Sequence, residues 1–183
     1  MASTPEPTYQ TLQKDEMFET RQYTPQLAAD VQLTGPDATM SDAFRILAGY
    51  IFKEYPTGAI GMTAPVTVQN TQKIGMTAPV TTSASANTVF MRFYLPERYT
   101  LKTLPMPEDT RIQIVELPAR RVAVVRFSGW LSAAKVATYE AKLREWMAQH
   151  AMKAAGPAET QGYDAPWVLP WWRRNEIWVP VAE

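Results

Sequence analysis

Apolar positions along the chain change period several times, and each change marks an element. From Met17 to Leu33, MFETRQYTPQLAADVQL alternates apolar and polar residues around Pro25, the pattern of a strand with a proline-marked break. Gly35-Pro36-Asp37 is a turn. Ser41 or Asp42 then opens a helix predicted to run to about Tyr55, where Pro56 ends it. TVFMRFYLP (Thr88–Pro96) alternates again, and residues 97–110 are a Pro-rich connection. RIQIVELPARRVAVVRFSG (Arg111–Gly129) reads as a strand, a break at Pro118 and a second strand. Residues 132–155 carry a long helical pattern closed by Gly156-Pro157. An irregular stretch, GYDAPWVLPWW, precedes a last strand, RRNEIWVPV. Each half thus runs as strand pair, helix and further strands. The pattern predicts an α+β fold, a bent antiparallel sheet with two helices and pseudo-twofold halves. Residues 1–15 are polar and Pro-containing and are expected to be flexible. Residues 16–183 are then a single domain, because the 97–110 linker is too short to separate a pair of complete cores.

The string IGMTAPVT occurs at Ile60–Thr67 and again, identically, at Ile74–Thr81. Repeat arrays recur every ~20–50 residues and need three or more copies. Two copies joined by the polar linker VQNTQK predict two strands and a turn. Pro65 and Pro79 have no N–H to give a ladder, so they are expected where pairing lapses, and equivalent breaks would curve the sheet toward a barrel. Met62 and Met76 precede those prolines by three residues and suit either core packing or a pocket wall.

On a helical wheel, the apolar side chains of Ala43–Glu54 sweep about 240°, where covering one sheet needs little more than ~100°. Ala48 and Phe52 border Arg45, placing a long cation beside excess apolar surface. A flat apolar ligand with an acidic edge would suit that flank, as would a loop or partner subunit. In the second helix, Val136, Tyr139, Leu143 and Met147 form a stripe that His150 continues toward the sheet. A cation near a helix C-terminus gains roughly 0.3–1 kcal/mol, so a structural role is sufficient for His150, with ligand or catalyst as the alternatives.

Composition narrows the chemistry. The 183 residues hold 18 basic and 18 acidic side chains, so no global field favours nucleic acid. Without cysteine there is no disulfide, thiolate nucleophile or Cys-based zinc site. With one histidine, a site built of several imidazoles is impossible, and a Ser-His-Asp triad would have to use His150. No stretch approaches the ~18 apolar residues that span a bilayer. The N-terminus lacks the basic start and apolar run of a signal peptide, so a cytoplasmic location is expected.

FETRQYTP, the Met-Thr-Ala-Pro-Val strings, FYLPERY and GYDAPWVLPWWRRNEIWV, in that order, resemble the SOUL/haem-binding protein family over residues 17 to 181. The resemblance implies a distorted antiparallel β-barrel of two similar halves flanked by two helices. It is similar also to the effector-binding domains of bacterial drug-sensing regulators. The implied ligand is haem or another tetrapyrrole, bound exchangeably for buffering or transfer in an apolar groove beside the first helix. Carried over, the matching helix positions are Arg45, Ala48 and Phe52, and the C-terminal loop with Arg173-Arg174 belongs to the same groove. A histidine that some animal members carry in the first strand is matched here by Gln22, which excludes His-ligated iron at that position. A groove methionine of other members is matched by Ala48.

Arg45 is the first candidate for pairing with propionates, because arginine forks onto carboxylates. Arg173 and Arg174 point to opposite faces if they lie on a strand, and an ion pair with Glu176 or a loop carboxylate is their alternative. Tyr163 and Trp167 offer an aromatic contact surface in the loop, for stacking on a macrocycle or sealing the barrel end. An enzyme that removes the metal from a tetrapyrrole is the alternative function, with His150, Asp164 and Glu176 as candidate acids or ion acceptors and His150 as the candidate metal ligand. A sensor or hydrolase of hydrophobic small molecules is the third.

Overall fold

The computed structural model describes residues 6–56, 58–61, 63–71, 88–164 and 168–182. Along them run β1 (Tyr9–Asp15), β2 (Phe18–Tyr23), β3 (Gln26–Thr34), α1 (Met40–Ile51), β4 (Val66–Thr71) and β5 (Thr88–Tyr94). Then come β6 (Ile112–Leu117), β7 (Arg120–Phe127), α2 (Ala133–Gln149), β8 (Glu159–Gly162), a 3₁₀ turn (Pro170–Trp172) and β9 (Asn175–Pro180). The strands form one antiparallel sheet in the order β1-β2-β7-β9-β8-β4-β5-β3-β6.

That order has a centre, at the β8–β4 pairing. On one side lie β8, β9 and β7 of the second half; on the other lie β4, β5 and β3 of the first. Each half is then completed by a strand of the other. β2 pairs with β7, with Phe18 opposite Val125, and β6 pairs with β3, with Ile112 opposite Val31. The two-halves architecture is therefore present, with its outer strands exchanged.

Alternation sorts side chains onto two faces. Both helices cover the same face. Under α1, Ala43, Leu47 and Ile51 meet Val31, Met91 and Phe93; under α2, Leu143, Trp146 and Met147 meet Ala123, Val125, Ile177 and Val179. The other face carries Tyr23, Ala28, Tyr94, Val122, Val124 and Trp178. Tyr94 on β5 and Trp178 on β9 are three strand positions apart, about 14 Å in a flat sheet. Their ring centroids are 6.1 Å apart, so the sheet curls inward as a half-barrel with this face inside.

Four expectations change. Tyr9–Asp15, read as flexible, is an edge strand in register with β2. Its mostly exposed polar side chains, typical of a protected edge, gave no alternation to find. The first IGMTAPVT copy contributes only Val66 and Thr67 to β4, and Pro65 immediately precedes the strand. The second copy lies outside the described residues, and β4 pairs with β5 and β8. Helix α1 is capped by Thr39, whose hydroxyl accepts the Asp42 N–H at 3.1 Å, and it stops at Ile51 rather than near Tyr55. Tyr55, before Pro56 and so disfavoured in helix, folds back and donates its hydroxyl to the Tyr50 carbonyl at 3.1 Å.

Helix α2 likewise stops short of Gly156, at Gln149. Met152 N–H bonds Met147 O and Ala151 N–H bonds Ala148 O, closing the C-terminus as a Schellman motif. Ala151 occupies its left-handed position, at φ 55°, where glycine is usual. A sequence search for glycine therefore overshoots the end.

Candidate functional site

α1 packs on β3 and β5, and α2 on β7 and β9. Strands β4 and β8 lie between those pairs. Their helix-side positions, Val66, Val68, Thr160 and Gly162, are only partly buried. Among the described residues, the helices thus flank an open strip, a channel whose floor is the β4–β8 pair at the centre of the sheet.

The two flanks of α1 differ. Tyr50 donates its hydroxyl to the Pro105 carbonyl at 2.6 Å, which turns the Ile46–Tyr50 flank toward the 97–110 connection and β6. The opposite flank, Phe44, Ala48 and Phe52, therefore faces β4 and the channel. Phe44 rests edge-on against Phe93 at 5.6 Å yet is 40% exposed, and Phe52 is 54% exposed. These positions recur every fourth residue, giving an apolar wall roughly 12 Å long. Phe93 is in register with Val66, and Val66 with Gly162, so the loop leaving β8 starts about two strand spacings, ~10 Å, from Phe93. Wall, floor and loop meet at one end of the channel.

Arg45 lies on the solvent side of this wall. Its guanidinium bonds Asp42 at 2.9 Å, an exposed i,i+3 pair. It also lines a cleft of about 310 Å³ with Lys53, Glu108 and Arg111 on the far side of the helix. Arg111 clasps Asp109 there and holds that carboxyl down at about 2.

The other candidates divide between two places. Glu176 is fully buried on the inner face, although its neighbours on β9 face α2. Arg21 donates to it at 2.8 and 3.1 Å, Trp178 Nε1 at 2.8 Å, Tyr163 hydroxyl at 2.8 Å and Arg174 Nε at 2.9 Å. Burial would raise its pKa, but the hydrogen bond and charge of Arg21, then the charge of Arg174, reverse the direction and hold it ionised. The Tyr163 hydroxyl, buried and facing that charge, is pushed up. Arg174 lies over the Tyr163 ring at 3.8 Å and reaches Glu6 at 2.8 Å. Asp164 accepts the Arg174 backbone N–H at 2.5 Å. Glu176, Tyr163, Arg174 and Asp164 are thus one knot that ties the β8–β9 loop to the barrel. Arg120–Glu159 and Arg92–Asp30 pair on the same face, at 2.7 and 2.6 Å.

Arg173 turns the other way. Its Nε donates to Val168 O at 2.7 Å and its guanidinium covers the Trp130 ring at 4.2 Å. Neither arginine is in the strand, which begins at Asn175. His150 does not continue the buried stripe of α2. It is exposed, leans on Trp146 at 4.5 Å, and its Nδ1 lies 2.8 Å from the Trp146 carbonyl. A carbonyl only accepts, so Nδ1 carries the proton. Trp146 stacks on Phe18 of β2 and bonds Asp15 of β1, so His150 sits on the side of α2 turned away from the channel. Met62, Met76 and Trp167 lie outside the described residues.

Arg21 is a site residue that the sequence reading does not reach. The alternation of FETRQY puts Glu19, Arg21 and Tyr23 on one face, and that is the available signal. A cavity of about 710 Å³ at the barrel mouth, beside Gln26, Tyr94, Pro96 and Leu101, includes none of the predicted residues.

Comparisons with known proteins agree with the architecture. A crystal structure of an uncharacterized conserved protein from Listeria innocua superposes with a TM-score of 0.62 at 11% identity, over 99% of this chain and 94% of that one. A hydrolase from Listeria innocua gives 0.60 at 12% identity, over 99% and 94%. The EcmrR C-terminal domain gives 0.57 at 13% identity, over 96% and 98%. At such identities the likeness is one of fold. No curated protein matches the sequence. The profile of the SOUL heme-binding proteins matches residues 4–180, nearly the whole chain. The chain therefore belongs to the SOUL heme-binding protein family.

Proposed function

We propose that this protein binds haem or a related tetrapyrrole reversibly in the channel beside α1, as a buffer or carrier. The observation that carries the reading is the uncovered Phe44–Ala48–Phe52 wall above a partly open floor. A macrocycle is flat and largely apolar, and laying it on two phenylalanines removes both surfaces from water. Arg45, at the solvent edge of that wall, is free to exchange an exposed Asp42 pair for a propionate, because such pairs contribute only about 0–1 kcal/mol. Family membership supports the ligand class, and the exposed wall supports this location for it.

The residues fit binding better than metal removal. Proton delivery to pyrrole nitrogens needs an acid that is protonated near neutral pH. Glu176 is held ionised by Arg21 and Arg174, and Asp164 is engaged by the Arg174 backbone. His150 lies on the far side of α2. Gln22, where some relatives carry histidine, points to the α2 side of β2, in register with Arg121.

The test is a haemin titration followed by absorption for several hours, with Phe52→Asp, Arg45→Ala and His150→Ala beside the parent. Saturable binding weakened by Phe52→Asp and Arg45→Ala and untouched by His150→Ala supports the channel. Absence of saturable binding defeats the proposal. Decay of the bound spectrum to free porphyrin would replace it with dechelation.

A further inference from the structure

Away from the α1 wall, the loops at one end of the half-barrel expose an unusual amount of aromatic surface. Trp130 is 62%, Trp171 64% and Trp172 73% exposed, and Leu131 and Leu169 add 41% and 44%. Tryptophan is usually well covered, so three such residues together need an explanation. They belong to two loops fastened to each other. Gly129 N–H donates to Pro170 O at 2.8 Å, and Asn175 Nδ2 donates to Gly129 O at 2.8 Å. Trp172 N–H closes the 3₁₀ turn on Leu169 O. The platform is therefore held, not a chance display of loose side chains.

Basic side chains line its cleft. Between Trp171, Trp172 and Arg173 runs a cleft of about 290 Å³ whose other wall includes Arg126. Lys135 folds over the same turn, reaching Ser128 O at 2.5 Å. The first turn of α2, which starts beside the platform, carries no acidic residue, so its positive dipole end adds to these cations. Of the nearby acids, Asp164, Glu176 and Glu6 are bonded to Arg174 and Asp15 accepts the Trp146 indole N–H, while Glu16 stands in the β1–β2 turn next to Met17, whose carbonyl accepts the Arg126 N–H. A chain with no net charge thus concentrates positive charge around exposed indoles.

We infer that this end of the molecule docks on the surface of an anionic lipid bilayer. Indoles settle at the headgroup level, where one edge is apolar and the N–H stays wet, while arginine pairs with lipid phosphates. Docking of this kind is peripheral. Among the described residues, no helix is long and apolar enough to cross a membrane. The basic rim selects a membrane over a second copy of the chain, because two such rims would face each other with like charge.

The test uses ligand-free protein, so it does not depend on the tetrapyrrole reading. Binding to vesicles of phosphatidylcholine alone, and of phosphatidylcholine mixed equally with phosphatidylglycerol, is followed by co-sedimentation and by tryptophan emission. Binding with a blue shift is expected on the mixed vesicles, weakened roughly tenfold or more by Arg126→Glu and by the double change Trp171→Ser/Trp172→Ser. Trp130→Ser, on the other loop, should weaken it independently. Unfolding midpoints near the parent value identify the variants as folded. Equal binding to both vesicle types, no binding, or binding indifferent to all three variants overturns the inference. So does self-association that the same variants abolish while vesicles are ignored. Loss of haemin binding alone in the double variant would assign the platform to the ligand channel and overturn it too.

Discussion

Arg21 and Glu176 meet fork to fork across the β2–β7–β9 wall, at 2.8 and 3.1 Å, with both side chains sealed from water. Removing one member leaves the other charged and buried, which typically costs about 3–5 kcal/mol. Arg21→Met should therefore lower the urea-unfolding free energy by roughly 3 kcal/mol, tempered because Arg174 stays beside Glu176. Combining it with Glu176→Leu should recover some of that loss. A double variant no better than the sum of the two single changes would show that the pair is not coupled.

The same carboxylate predicts an acid limb. Glu176 has a folded pKa below its ordinary 4.5, so the unfolded chain takes up its proton first as pH falls. Its stabilisation is fully present above about 4.5 and is lost as the pH drops from there through the folded value. Glu176→Gln should be less stable at pH 7 and should lose less on acidification. Parallel unfolding curves for both proteins between pH 7 and pH 3 would reject this assignment.

At the end of α2, Ala151 holds a left-handed conformation with φ 55°. Glycine adopts it without steric cost, so Ala151→Gly should raise stability by roughly 0.5–1 kcal/mol. The gain should be visible as a higher thermal midpoint, and a lower one would contradict the Schellman closure.

Phe52 protrudes from α1 with more than half its surface exposed. Phe52→Asp should leave the thermal midpoint within a few degrees and weaken haemin binding about tenfold or more, since a charge would then sit against the macrocycle. His150→Ala should leave the bound spectrum unchanged. Equal affinities for parent and Phe52→Asp would move the ligand elsewhere.

Legibility of the sequence followed burial. β3, β5 and β7 have two-sided apolar or clearly alternating patterns, so their existence was plain from the residues. β1 is a polar edge, and β8 is four residues, ETQG, whose buried side chains are the polar Glu159 and Gln161. Neither has an apolar period to detect. Helix ends were misplaced because α1 stops before Pro56, with Tyr55 folded back, and because Ala151 rather than Gly156 closes α2. For the channel, the wheel of α1 located an apolar excess beside Arg45, and Phe52 lies there uncovered. The inner-face knot was only half visible. Arg174 with Glu176 could be read from adjacency, whereas Arg21 comes from 155 residues away and needs the sheet order.

The exchange of outer strands has a consequence for how the chain comes into being. As a nascent polypeptide leaves the ribosome, β2 emerges early, but the strand it must zip against, with Val125 for its Phe18, does not yet exist. β3 in turn waits for β6 to cover its far edge. β4 likewise waits for β8, so the amino-terminal half spends its synthesis with open hydrogen-bonding edges on three strands, a template for pairing with a neighbouring chain. Their partners, β7, β6 and β8, all belong to the carboxy-terminal half. Because the sheet closes only through these long-range pairings, crowding of nascent chains is the circumstance in which folding should fail.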